Sequence, residues 1–270
     1  MSEDYFKKNC ESLDFYFSSL VQRLNFIPNE DSSFHIVRAK DGSSTIKVIS
    51  NQGREKYLHS FYNPSKEGDV LAKRVYFKNI NLFILFGFGL GYQGINLFNR
   101  LGPEQKMLII EPHPFIFKKA LSLMDFSFLF NDKRVFIIVD ERALCVKQKI
   151  KTFLNDFIPY DATTIRYDFL SLYERWDRYK SFEEDIKLHL KTTLNDLYEV
   201  KKNVISQIDY LRTSGLGKSF FGNYKECISF FRERFIKGIS LNDAELGMLI
   251  TYFLFSYESY AETFEKGSRL

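Results

Sequence analysis

Four closely spaced glycines, Gly87, Gly89, Gly91 and Gly94, interrupt "LFILFGFGLGYQGINLF", residues 82–98, between an apolar run and a helical pattern. Such a turn can hold an anion. Unpaired N–H groups at a helix start point outward with the positive end of the helix dipole, and glycine lets the backbone approach a ligand with no Cβ in the way. Gly89, Gly91 and Gly94 fit G-x-G-x-x-G, while Gly87, Gly89 and Gly91 fit the G-x-G-x-G of methyl-donor-binding sheets. Glu111 follows Gly89 by 22 residues at the end of a second apolar run, close to the spacing at which an acid meets ribose hydroxyls in dinucleotide sites. The cofactor-binding set read from sequence is therefore Gly87, Gly89, Gly91, Gly94 and Glu111, with the cofactor itself unknown. The alternative is that the glycines permit tight strand-to-helix packing and Glu111 is a solvated strand end.

Further candidates stand nearby. His113 follows Glu111 in "EPHP", where Pro112 and Pro114 stiffen the loop. In "LHSFYNPSKEG", residues 58–68, His59, Ser60, Tyr62 and Glu67 could converge on the same edge; the plainer reading has Pro64 opening a helix, with Glu67 favouring its N-terminus. His35 sits in a strand pattern, and His189 reads as solvent-facing on a charged helix. G-x-S-x-G, P-loop and H-E-x-x-H patterns are absent, so no catalytic residue is assigned.

The elements that must position these residues follow from periodicity. Residues 3–24 have helical apolar spacing ending before Pro28, and "FHIVRAKDGSSTIKVIS" alternates about Asp41-Gly42 as a β-hairpin, with another turn at 51–53. From residue 82 the rhythm is strand, helix, strand: "INLFILF", "YQGINLFNRL", "KMLIIE", a helix over 115–124, "RVFIIV", a helix over 142–157 and a short strand at 163–167. Continuous apolar strands alternating with helices predict a parallel sheet covered on both faces. After about residue 170 the pattern is helical, with one or two long helices, a break at Gly215 and Gly217, and two more helices. The fold class is α/β, a Rossmann-like, mostly parallel sheet with helices on both faces, preceded by a small β-hairpin region and followed by an all-helical part. The expected divisions are 1–75, 76–170 and 171–270.

Composition narrows the function classes. The 38 basic and 34 acidic residues among 270 are well mixed, so no basic arm points to nucleic acid. The 29 Phe and 16 Tyr go with many Lys, Ile and Asn, the bias of an AT-rich coding sequence, and carry no argument for base stacking. Cys10, Cys145 and Cys227 are odd in number and far apart, which fits reduced thiols in a cytoplasm and no metal site. The apolar run 246–257 is shorter than the ~20 residues that span a membrane, and the start has no secretory h-region.

In order and spacing, "LHS" with Tyr62, Pro64 and Glu67, then "GFGLGY" at 87–92, then "IIEP" at 109–112 resemble the N-terminal region of the motility-associated factor (Maf) family of bacterial flagellin glycosyltransferases, over about residues 30–130. The family transfers nonulosonic acids from a CMP-activated donor to Ser or Thr of flagellin. That chemistry belongs to a central domain opening with a "GAGPSL"-like turn, for which "TSGLGKSF", 213–220, is no match. The resemblance thus implies a noncatalytic accessory domain with flagellin or another glycosylation protein as partner. Two other readings are kept. One is an S-adenosylmethionine-dependent methyltransferase, although Leu85 stands where such enzymes usually carry an acid and only about four strands are counted. The other is a structural module that oligomerises through its helical region.

Overall fold

A computed structural model of the chain describes residues 2–49, 55–75, 77–140, 142–157, 165–174 and 176–213. Residues Met1–Pro159 with Thr164–Leu194 form one compact unit, and Tyr160–Thr163 with Asn195–Leu270 a second. The residues of the site described below belong to the first.

Helix α1 (Ser2–Phe26) has its register broken at Phe17. It leads into an antiparallel sheet of β1 (Phe34–Arg38), β2 (Ser44–Ile49) and β3 (Glu55–Tyr57) in that order. Gly42 takes φ of 88° in the hairpin turn, as Asp-Gly predicts, and Asp41 Oδ1 accepts from the Ser43 N–H at 3.0 Å. The alternation did not disclose β3, which is only three residues long and lies just past the turn at 51–53, outside the described residues. Helix α2 (Pro64–Arg74) has proline in its first turn, the Asn63 side chain accepting from the Lys66 N–H, Glu67 at its positive end, and Lys73 and Arg74 at its negative end.

The second sheet is parallel, in the order β6 (Val135–Val139), β5 (Lys106–Glu111), β4 (Leu82–Phe86), β7 (Tyr167–Ser171). All five β4 residues are fully buried, as expected of a strand covered on both faces. At about 1.5–3 kcal/mol for each large apolar side chain, this central strand anchors the fold. The connections are α3 (Tyr92–Phe98), α4 (Pro114–Leu123) with the short α5 (Ser127–Phe130), and α6 (Ala143–Phe157). Right-handed crossovers put α3 and α4 on one face and α6 on the other. α1 packs on α4 and α5, and α2 on α3.

The last strand lies four residues beyond its expected place at 163–167, because "YDFLS" pairs with β4 from Leu82↔Tyr167 to Phe86↔Ser171. The helical region opens with α7 (Asp177–Thr213), a single long helix. Gly215, Gly217, the two helices read beyond them and the apolar run 246–257 lie outside the described residues. Among the described residues no helix is long and apolar enough to cross a membrane.

Candidate functional site

The sheet grows from β4 outward to β5 and β6, then returns to β7 on the other side of β4. Its switch point, the crevice where α/β sheets receive ligands, therefore lies at the ends of β4 and β7, where the glycine turn leaves β4. Gly87, Gly89 and Gly91 take φ of 95°, 57° and 88°. Three left-handed residues at alternate positions coil the chain tightly, which L side chains resist by about 1–2 kcal/mol each.

The N–H groups of this coil point inward, each to a protein acceptor. Gly87 donates to Ile110 O at 2.8 Å and Gly91 to Phe88 O at 2.9 Å. Phe88 and Gly89 donate to Glu111 Oε2 at 2.8 and 2.9 Å. Leu90 donates to His59 Nε2 at 2.8 Å. Glu111 Oε1 accepts from the His113 N–H at 2.8 Å and the Tyr173 hydroxyl at 2.7 Å. Four donors thus meet the roughly four lone-pair directions of one fully buried carboxylate. Glu111 is an internal acceptor, in place of the solvated strand end weighed from sequence. Burial pushes its carboxyl pKa up, against the Gly89, Tyr173, His113 and Phe88 donors that hold the ionised form. Burial also holds the Tyr173 hydroxyl well above its ordinary range, so Tyr173 serves as a donor.

Side chains fill the space around the coil. A Cβ on Gly87 would stand 2.7 Å from the Tyr173 ring, one on Gly89 2.5 Å from His59 Nε2 and Leu172 Cδ2, and one on Gly91 2.3 Å from the Phe126 ring. Gly94 is a packing glycine, 2.8 Å from the Phe88 ring by the same measure. Phe126 is fixed from α1: the buried Asn9 accepts from the Phe126 N–H at 2.7 Å and donates to Leu121 O and Met124 O. Tyr173 is fixed from α7, since Ser171 Oγ accepts the Tyr173 N–H and donates to Glu183 Oε2 at 2.6 Å.

The other predicted residues separate into two groups. His59 is buried and reaches the turn; its Nε2 accepts, so the ring is neutral, and burial pushes its pKa down to about 3. Its carbonyl accepts from Thr45 Oγ1 at 2.8 Å, tying the small sheet to the turn. Ser60 gives its N–H to Glu67 Oε2 at 2.8 Å, which closes the start of α2 onto the segment carrying His59. Tyr62 stays outside, 68% exposed beneath Lys40 Nζ at 4.3 Å. His113 precedes α4 and packs edge-on to Phe34, with burial and then Arg178 lowering its pKa to about 4. His189, expected in solvent, is half-buried with Nε2 3.0 Å from Lys147 O, because α7 lays that face against the end of α6.

Beside the turn is a cavity of about 800 Å³ bounded by β3, α2 and the loop after β7; Ser60, Tyr62 and Glu67 line it, with Gln93 and Trp176. Tyr173, Leu172 and Gln93 were not singled out from sequence. An aromatic directly after the last strand of such a sheet, in "SLYERW", is the signal that could have found Tyr173. Among the described residues no group of three or more His, Cys, Asp or Glu is placed to hold a metal, and Glu111, with its donors in place, has no lone pair left to act as a base.

No protein-family profile matches the chain, and no curated protein matches it. Among solved structures, the fold is similar to that of the MAf glycosyltransferase from Magnetospirillum magneticum AMB-1, with a TM-score of 0.51 and 13% identity, covering 72% of this chain and 36% of that one. The chain thus spans about a third of that protein's length, and the likeness is one of fold.

Proposed function

We propose that the chain is a noncatalytic accessory domain of protein glycosylation, of the kind that forms the N-terminal region of Maf flagellin glycosyltransferases, with flagellin or another glycosylation protein as partner. The likeness in fold to a MAf glycosyltransferase supports this. The observation that carries it is that the segments bearing the resemblance are the ones that lock together: His59 of "LHS" on Leu90 of "GLGY", Glu67 on Ser60, and Glu111 of "IIEP" on Phe88 and Gly89. A motif set whose members hold one another is what a scaffold needs.

The turn then acts as a brace. A bound nucleotide would have to displace Tyr173 and Leu172 and take donors from Glu111, and methyl transfer from S-adenosylmethionine meets the same obstacle. The test is to combine the purified chain with flagellin and a CMP-activated nonulosonic acid. Association with flagellin, or with a transferase from the same cells, and no mass gain on flagellin when the chain is the only added protein are expected. Sugar transfer by the chain alone would overturn the noncatalytic reading, and failure to associate with either protein would overturn the accessory role.

A further inference from the structure

The cavity beside the brace has the form of a groove between a strand edge and a helix. Side chains along a strand alternate between faces, so a cavity on one face meets every second residue. This one is lined by Glu55, Lys56, Tyr57 and Leu58 in succession, and so follows the edge of β3, the outer strand of its sheet. The Leu58 N–H donates to Ile46 O at 2.9 Å, which assigns the inward bonds to Leu58 and Lys56. The N–H and C=O groups of Glu55 and Tyr57 therefore face outward along the groove, and neither has a main-chain partner among the described residues.

The facing wall is a single stripe of α2, in which Lys66, Glu67, Val70, Leu71 and Arg74 recur at helical spacing. Lys66 and Arg74 are exposed there with no ion pair among the described residues. The acids beside them are engaged, Glu67 with the Ser60 N–H and Glu55 with Lys47 at 3.0 Å, so the unspent charge of the helix wall is positive; Glu174 is the acid on the loop after β7. Gln93 adds a polar group to the groove. It lines the groove with its carboxamide unpartnered among the described residues, which leaves its donors and acceptor open to whatever enters.

We propose that this groove binds an extended acidic peptide, which joins β3 as a further strand and sets its carboxylates against Lys66 and Arg74. Main-chain bonds to Glu55 and Tyr57 supply sequence-independent affinity, as in other strand-addition sites. The charge of α2 selects the peptide, with Val70, Leu172 and Trp176 offering apolar contact and Gln93 a polar one. The proposal rests on the groove and holds whether or not the partner belongs to glycosylation.

Fluorescence polarisation of the full chain with labelled peptides of about ten residues, alternating glutamate with valine, tyrosine or threonine, tests it. Saturable binding of at least one peptide is expected, weaker by about tenfold or more when lysine replaces glutamate and when alternate peptide amides are N-methylated. Lys66→Glu with Arg74→Glu should weaken it by a similar factor and leave the melting temperature unchanged, since both side chains are exposed. Absence of saturable binding by all three peptides, or equal binding of the N-methylated form, would overturn the proposal. So would a dimer of the chain that dissociates on Tyr57→Pro, because the edge would then serve a second copy.

Discussion

The Tyr173 hydroxyl donates to Glu111 Oε1 at 2.7 Å, joining the ends of β5 and β7 across the top of the strand that lies between them. If this bond braces the sheet, Tyr173→Phe leaves one buried carboxylate position without a donor and destabilises the fold by about 1–3 kcal/mol. Glu111→Gln should cost more, because the new NH₂ group faces donors on both sides. Urea unfolding of the two variants measures the order; a Tyr173→Phe protein as stable as the parent would remove the bond from the account.

Gly42 and Gly91 share φ of 88° but differ in surroundings. A Cβ at Gly42 meets nothing within 4 Å, whereas one at Gly91 comes within 2.3 Å of Phe126. Gly42→Ala should therefore cost only the left-handed strain, about 1–2 kcal/mol. Gly91→Ala adds overpacking against a ring that Asn9 holds in place, for a total on the order of 3 kcal/mol or more. Thermal melts of the pair separate backbone strain from steric closure, and equal losses would mean that Phe126 moves aside freely.

The parallel sheet was legible because its strands are buried on both faces and read as unbroken apolar runs, as in "LFILF" and "KMLII". The edge strand β7 carries Asp168 and is only half-buried, so its apolar signal is diluted and its place was misjudged by four residues. β3 is too short to show a period. Within the site, the pairing of the glycine turn with Glu111 was visible as spacing, because consecutive parallel strands set the distance between their ends. What fills the crevice was not: Tyr173 lies 62 positions from Glu111 and reaches it only because β7 adds beside β4, a tertiary fact with no local pattern. The glycines were equally consistent with cradling a ligand and with admitting neighbours, and the neighbours that stand against them, His59, Leu172, Tyr173 and Phe126, come from distant parts of the chain.

Calorimetric titration with S-adenosylmethionine, a nicotinamide dinucleotide and CMP bears on the same point. The N–H groups from Gly87 to Gly91 and all four acceptor positions of Glu111 are engaged. Each ligand should accordingly bind no tighter than about 1 mM, near −4 kcal/mol. A micromolar signal from any of them would mean that Tyr173 and Leu172 leave the crevice in solution.

His59 and His113 give stability a pH dependence below pH 6.5. Burial holds the His59 pKa at about 3 and that of His113 at about 4, against an ordinary 6.5. The unfolded chain takes up those protons below pH 6.5 while the folded one does not, so the neutral histidines' contribution is full above that pH and is lost as pH falls towards 4 and then 3. Between pH 4.5 and 6.5 the two histidines together should make stability rise with pH by about 2.7 kcal/mol per unit. His59→Gln places an amide oxygen where Nε2 accepts the Leu90 N–H and removes one titration, which should roughly halve the slope in that window. Urea unfolding at half-unit steps from pH 5 to 6.5 reads both slopes. An unchanged slope in the variant would mean that the His59 ring is protonated in the fold, which the Leu90 N–H pointing at its Nε2 does not permit.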